Sequence, residues 1–187
     1  NQPTWRQSTL GPEWDLRIKQ LVADWGTEKS PDLIEEIIIT ALKMARDKMG
    51  AGDLKLMSRS LKEMRYAAKM FSGYRQFRKV CVFGSARTPP SEAQYHVAED
   101  FAREMVAHNY MVITGGGDGI MGAAQRGAGR EHSFGLTIRL PFEQRANEPI
   151  LGDPNLSNFH YFFTRKLTFV PEPHAFTILP VRCATMA

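Results

Sequence analysis

Apolar positions follow two different spacings along the 187 residues of this chain. From Ser30 to about Phe71 they recur at helical intervals. Leu33, Ile34, Ile37, Ile38, Ala41, Leu42 and Ala45 make one stripe, and Leu54, Met57, Leu61, Met64, Ala68 and Phe71 make a second. Ser30 before Pro31 fits an N-cap followed by the first helical position, Gly50 and Gly52 fit a break, and Asp53 fits the cap of the next helix. The alternating steps of three and four along the second stripe predict that the two helices pair as a hairpin.

From Lys79 onward the pattern becomes strand, glycine turn, helix. Val80 to Phe83 is a short β-branched run followed by the small-residue turn Gly84, Ser85, Ala86. Ala98, Phe101, Ala102, Met105 and Val106 line one face of a helix, and Tyr110 to Ile113 reads as the next strand. Further strands are expected over Phe134 to Leu140, Phe159 to Phe163 and Ala175 to Leu179. Such alternation predicts an α/β fold, a parallel sheet with helices on both faces. Ligands of these sheets sit outside the carboxyl ends of the strands. Ser85, Arg87, the Gly115 to Gly119 turn, Arg139 and Arg165 all fall at predicted strand ends.

A hydrophobic share of 43% and a charged share of 24% suit a globular core. No apolar run approaches the roughly 20 residues that cross a bilayer, and the opening NQPTWRQSTLGPEW lacks a signal peptide's apolar stretch. A cytoplasmic location without a membrane partner is expected, and a start at Asn1 rather than Met suggests a trimmed or partial chain. The formal charge of +4 suits an anionic ligand. Its basic residues concentrate between Lys43 and Lys79, alternating with apolar positions as on the wet face of helices, so no nucleic-acid partner is expected. Cys81 and Cys183 form neither a disulfide framework nor a zinc pattern, and His96, His108, His132, His160 and His174 lack metal-ligand spacing. No cofactor, metal or organic, is expected.

Candidate chemistry concentrates in TGGGDGIMGAA, Thr114 to Ala124, with five glycines in eight residues after a strand and before a helix. Gly117, Gly119 and Gly122 fit G-x-G-x-x-G. This is either a phosphate cradle of amides at a helix N-terminus or a tight turn without a ligand. Asp118 suits a ribose hydroxyl contact or a helix cap, and Met121 suits the flank of a base or the core. Ser85 suits phosphate or a simple turn; Arg87 and Arg139 are secondary phosphate candidates or solvated loop residues.

Together, VCVFGSAR (Val80 to Arg87), ITGGGDGIMGAAQRGA (Ile113 to Ala128), IRLPFEQ (Ile138 to Gln144) and FFTRK (Phe162 to Lys166) closely resemble the LOG family. Its members, often labelled lysine decarboxylase-like, are Rossmann-like phosphoribohydrolases. They split cytokinin riboside 5'-monophosphates, or related purine nucleotides such as AMP, into free base and ribose 5-phosphate. The resemblance implies a Rossmann-like nucleotide-binding domain over residues 79–187, C-terminally incomplete. It also implies a helical extension over residues 1–78, as in a bacterial subgroup, and a homodimer. It makes Arg165 the catalytic candidate. Gly84, Ser85, Gly115, Gly116, Gly117, Gly119, Met121, Lys166 and Thr185 become candidates for holding the nucleoside monophosphate.

The family's PGGxGTxxE motif is departed from. Pro180 and Thr185 match, Val181, Arg182 and Ala184 stand at glycine positions, and the glutamate position falls after Ala187. Side chains at the glycine positions obstruct close approach of a phosphate. The alternative expectation is therefore a non-catalytic nucleotide-binding protein with a degenerate LOG site. The decarboxylase label would require a pyridoxal phosphate lysine, and no lysine is singled out for that role.

Overall fold

The computed structural model describes residues 9–139 and 146–179. Two compact units divide the chain, Asn1–Ser58 and Arg59–Ala187. The first holds α1 (Pro12–Asp24), α2 (Pro31–Arg46) and the start of α3 (Ala51–Ser72). Ile18 and Val22 of α1 bury against Ile39 of α2, with Leu10 and Ile38 alongside.

Several local expectations change here. Ser30 does occupy the N-cap position of α2, but its backbone is left-handed (φ 49°), and among the described residues its hydroxyl caps no helix amide. A side-chain cap requires extended backbone at that residue. The break falls at residues 47–50, so Gly52 lies inside α3, and Asp53 is a first-turn residue rather than a cap. The expected seam of α2 with the following helix is not formed within this unit: Leu33, Ile37 and Leu42, like Leu54 and Met57, remain exposed.

In the second unit, the rest of α3 is followed by β1 (Arg78–Phe83), α4 (Ala93–Ala107), β2 (Tyr110–Thr114), α5 (Ile120–Ala128), β3 (Ser133–Ile138), β4 (Leu156–Phe159), α6 (Phe162–Phe169) and β5 (Ala175–Ile178). The strands form one all-parallel sheet in the order β4-β3-β2-β1-β5. This is the α/β architecture that the alternation predicts. Successive strand residues point to opposite faces. Val80, Val82 and Val112 pack against Tyr95, Ala98 and Ala102 of α4 and Ala123 and Ala124 of α5. Cys81, Met111, Ile113, Phe134 and Leu136 pack on the other face against Ala67 and Phe71 of α3 and Phe169 of α6. Burial of both faces explains why the strands read as uninterrupted apolar runs.

The fourth strand is shifted from its expected place. β4 pairs with β3 from Gly135↔Leu156 to Ile138↔Phe159, and β3 ends there. The chain beyond Phe159 thus lacks a ladder to continue, and the aromatic pair Phe162–Phe163 opens α6 instead. Likewise β3 ends before Leu140, which lies outside the described residues.

At the amino end of β1, Lys79 is almost fully buried. Its ammonium donates to the carbonyls of Tyr74 (2.9 Å) and Phe77 (3.3 Å) and lies 3.8 Å from Glu172. A buried cation persists only with such acceptors, and these tie the turn that follows α3 to the sheet. Among the described residues no helix is long and apolar enough to cross a membrane.

α4 and α5 meet closely at Gly127, where a Cβ would collide with the backbone carbonyl of Glu99. Helix propensity alone favours Gly127→Ala by about 1 kcal/mol, whereas overpacking against immobile backbone costs about 1–3 kcal/mol. The steric term wins because a carbonyl within a helix cannot swing aside. Gly127→Ala is expected to lower the unfolding free energy in urea titrations; a stabilised variant would contradict this packing.

Candidate functional site

The sheet order reverses at β1, which has β2 on one side and β5 on the other. Ligands of open α/β sheets bind near such a reversal, beyond the carboxyl ends of the strands. The turn that follows β1 carries Gly84 and Ser85; Thr185 and the residues aligned with the family's last motif lie outside the described residues.

Two turns interlock at this end. The Ile120 amide donates to the Ser85 carbonyl at 3.0 Å, and the Ser85 hydroxyl accepts the Arg87 amide at 3.2 Å. Gly119 is the N-cap of α5, in place of Asp118, and adopts φ +61°. A Cβ at Gly119 would run into the Ser85 carbonyl oxygen and approach the Ala86 carbonyl carbon to 2.7 Å, so only glycine lets the two turns approach. Ile120 likewise fills the space a Cβ at Gly84 would need.

The turn after β2 is fixed by buried polar groups. Thr114 Oγ1 accepts the Gly116 amide at 2.9 Å. Asn147 donates its backbone amide to Gly116 (2.9 Å) and its side-chain amide to the Gly117 carbonyl (2.8 Å) and to Gln125 Oε1 (2.6 Å). Gln125 in turn donates to the Phe134 carbonyl at 3.1 Å. Among the described residues Asn147 Oδ1 has no hydrogen-bond partner.

Arg165 and Lys166 lie on α6 rather than directly after a strand. Arg165 is half-buried; its Nε donates to the Leu136 carbonyl at 2.6 Å, and its guanidinium carbon lies 5.5 Å from the centre of the Phe169 ring. A Cβ at Gly115 would come within 2.7 Å of Arg165 Nη2 and 3.0 Å of Met121 Sδ, and one at Gly117 within 2.8 Å of Met121 Cε. Arg165, Met121, Gly115 and Gly117 are therefore brought together. Lys166 is exposed on the same helix, and Arg139 is exposed just past β3, with its amide bonded to the Phe159 carbonyl.

The Gly119 N-cap also lines a cavity of about 390 Å³. Arg87, Asp118 and Gly119 line it, joined by Tyr95, Arg126, Asn147 and Glu148, which are not among the candidates read from the sequence. Among its described lining residues Arg165, Met121, Lys166 and Ser85 do not appear. The neighbouring Tyr95 side chain holds the Arg126 pKa above the ordinary arginine value. Paired arginines and helical amides suit an anion, while Asp118 and Glu148 offset their charge. Cys81 takes no part in such chemistry: burial pushes its thiol up to about 12, so it stays protonated at neutral pH.

The two kinds of glycine contact differ in consequence. Gly119→Ala combines left-handed strain with a backbone collision and should cost about 2 kcal/mol or more. Gly115→Ala meets only the ends of two flexible side chains, so it should cost under about 1 kcal/mol while displacing the Arg165 guanidinium. Chemical denaturation of both variants checks the order, and equal losses would refute it.

No curated protein matches the chain in sequence. Residues 77–149, which run from the start of β1 through both interlocked turns to the Asn147 clip, match the SLOG cluster4 family, within the superfamily of LOG and lysine decarboxylase-like proteins.

Proposed function

We propose that this protein binds a nucleoside 5'-monophosphate across the carboxyl ends of β1 and β2 and hydrolyses its N-glycosidic bond, releasing free base and ribose 5-phosphate. The observation that carries this reading is the Arg165 guanidinium, held against Gly115 and Met121 by a helix two strands further along the chain. Two separated blocks of the LOG-like pattern meet there.

The chemistry fits those groups. As the bond from C1' to the base nitrogen breaks, positive charge grows on the ribose and negative charge on the base. Water supplies hydroxyl to C1' and a proton to the base. Arg165 is suited to hold the substrate or to stabilise developing negative charge, and the Gly115–Gly117 turn is suited to the approach of a phosphate. In the LOG-like motif a glutamate supplies the carboxylate that would face the sugar.

A homodimer is part of the same reading. Exposed Leu33, Ile34, Ile37 and Leu42 on α2 support an apolar contact with a second copy. Light scattering should then give twice the chain mass.

Incubation of the full-length protein with AMP and with cytokinin riboside monophosphates should release free base, followed by chromatography. No release from either would defeat the reading. Arg165→Ala should lower kcat/KM by about 100-fold or more, the loss of about 2.7 kcal/mol of transition-state stabilisation; unchanged turnover would remove Arg165 from catalysis. Val181, Arg182 and Ala184 at glycine positions favour a second reading, a nucleotide-binding protein without turnover. It predicts calorimetric AMP binding with no base released.

A further inference from the structure

The helical segment before β1 contributes no block of the LOG-like pattern, yet one of its carboxylates reaches the helix that bears Arg165. Glu63 shares the face of α3 that carries Ser60, Ala67 and Phe71, the residues α3 buries. Its Oε1 accepts the backbone amide of His160 at 2.8 Å and lies 3.0 Å from His160 Nδ1. Its Oε2 accepts the Thr164 hydroxyl at 2.6 Å.

Those donors belong to the beginning of α6, whose N-cap is Tyr161. The first turn of a helix leaves amides unsatisfied and carries partial positive charge, so a carboxylate from a neighbouring helix is well placed there. Burial alone would raise the Glu63 pKa; hydrogen bonds from Thr164 and from the His160 backbone and ring outweigh it and hold the pKa below the ordinary glutamate value. Arg165 directly follows Thr164, and its own amide donates to the Tyr161 carbonyl at 3.2 Å. At the far end of α6, Phe169 is buried in the sheet core. The helix is pinned at both ends.

We propose that Glu63 is a positioning residue: it anchors the first turn of α6 and so sets the Arg165 guanidinium against the Gly115 turn. The proposal rests on the reading of Arg165 given above. Its geometric part stands apart from turnover.

The test combines hydrogen exchange with kinetics on full-length protein. In Glu63→Ala, amides of residues 160–166 should exchange at least about tenfold faster while those of β2 and α5 keep their rates. kcat for AMP should fall about tenfold or more, with KM changed less than about threefold. Glu63→Gln should recover most of both, because an amide oxygen still accepts from His160 and the amide nitrogen can donate to the Thr164 hydroxyl. Unchanged exchange in Glu63→Ala overturns the proposal, and so does faster exchange with wild-type kcat. Should Glu63→Ala fail to fold, Thr164→Val removes one donor at nearly constant shape and should move both readouts in the same direction; no movement overturns the proposal. Should the wild-type protein release no base, the functional reading fails by itself. Exchange and the rate of Arg165 modification by phenylglyoxal then decide positioning, with faster modification in Glu63→Ala supporting it and an equal rate overturning it.

Discussion

One hydrogen bond, from the Ile120 amide to the Ser85 carbonyl, sets the geometry on which both halves of the candidate site depend. It forms only because a glycine at 119 lets the turn after β1 lie against the N-terminus of α5. With that end fixed and Gly127 seated on the backbone of α4, the direction of α5 is determined. Residues of one α5 face, Gly122 and Arg126, then line the cavity beside Arg87. Met121, about 100° away around the helix, turns instead toward Gly115 and Arg165. The two groups of candidate residues are thus opposite sides of one constraint.

The strand and helix alternation was legible because strands buried on both faces need apolar residues at consecutive positions. Helix faces were less so. The α3 stripe that includes Leu61 and Met64 is the more apolar one, yet those two side chains are exposed, while Ser60, Ala67 and Phe71 are the residues that bury. Periodicity measures hydrophobicity along one helix; it does not specify which neighbour arrives, and a crowded sheet selects small residues over large ones. That misplaced face also hid Glu63, which sits on the side that buries.

Arg165 stood out in the sequence through its neighbours, although it was expected just after a strand and lies within α6. Tyr95, Arg126, Asn147 and Glu148 carried no comparable local signal. They come from α4, α5 and the segment before β4, and only the sheet order brings them to one cavity. Gln125 and Asn147 had the weakest signal of all, since a buried amide pair that clips a turn looks in sequence like two ordinary polar residues.

Glycine spacing is ambiguous for a physical reason. A main chain stripped of side chains admits a phosphate or another turn equally well, so the spacing records close approach without naming what approaches. The obstruction around each position separates the cases. At Gly84 and Gly119 the space is already taken, by the branched Ile120 side chain and by the backbone of Ser85 and Ala86. These glycines serve the fold. At Gly115 and Gly117 the neighbours are the ends of Arg165 and Met121, which can swing aside at the cost of rotamer changes and, for Arg165, of its bond to Leu136. A ligand that approaches the turn after β2 must therefore engage or displace Arg165, and this coupling ties an unspecific glycine pattern to one particular arginine.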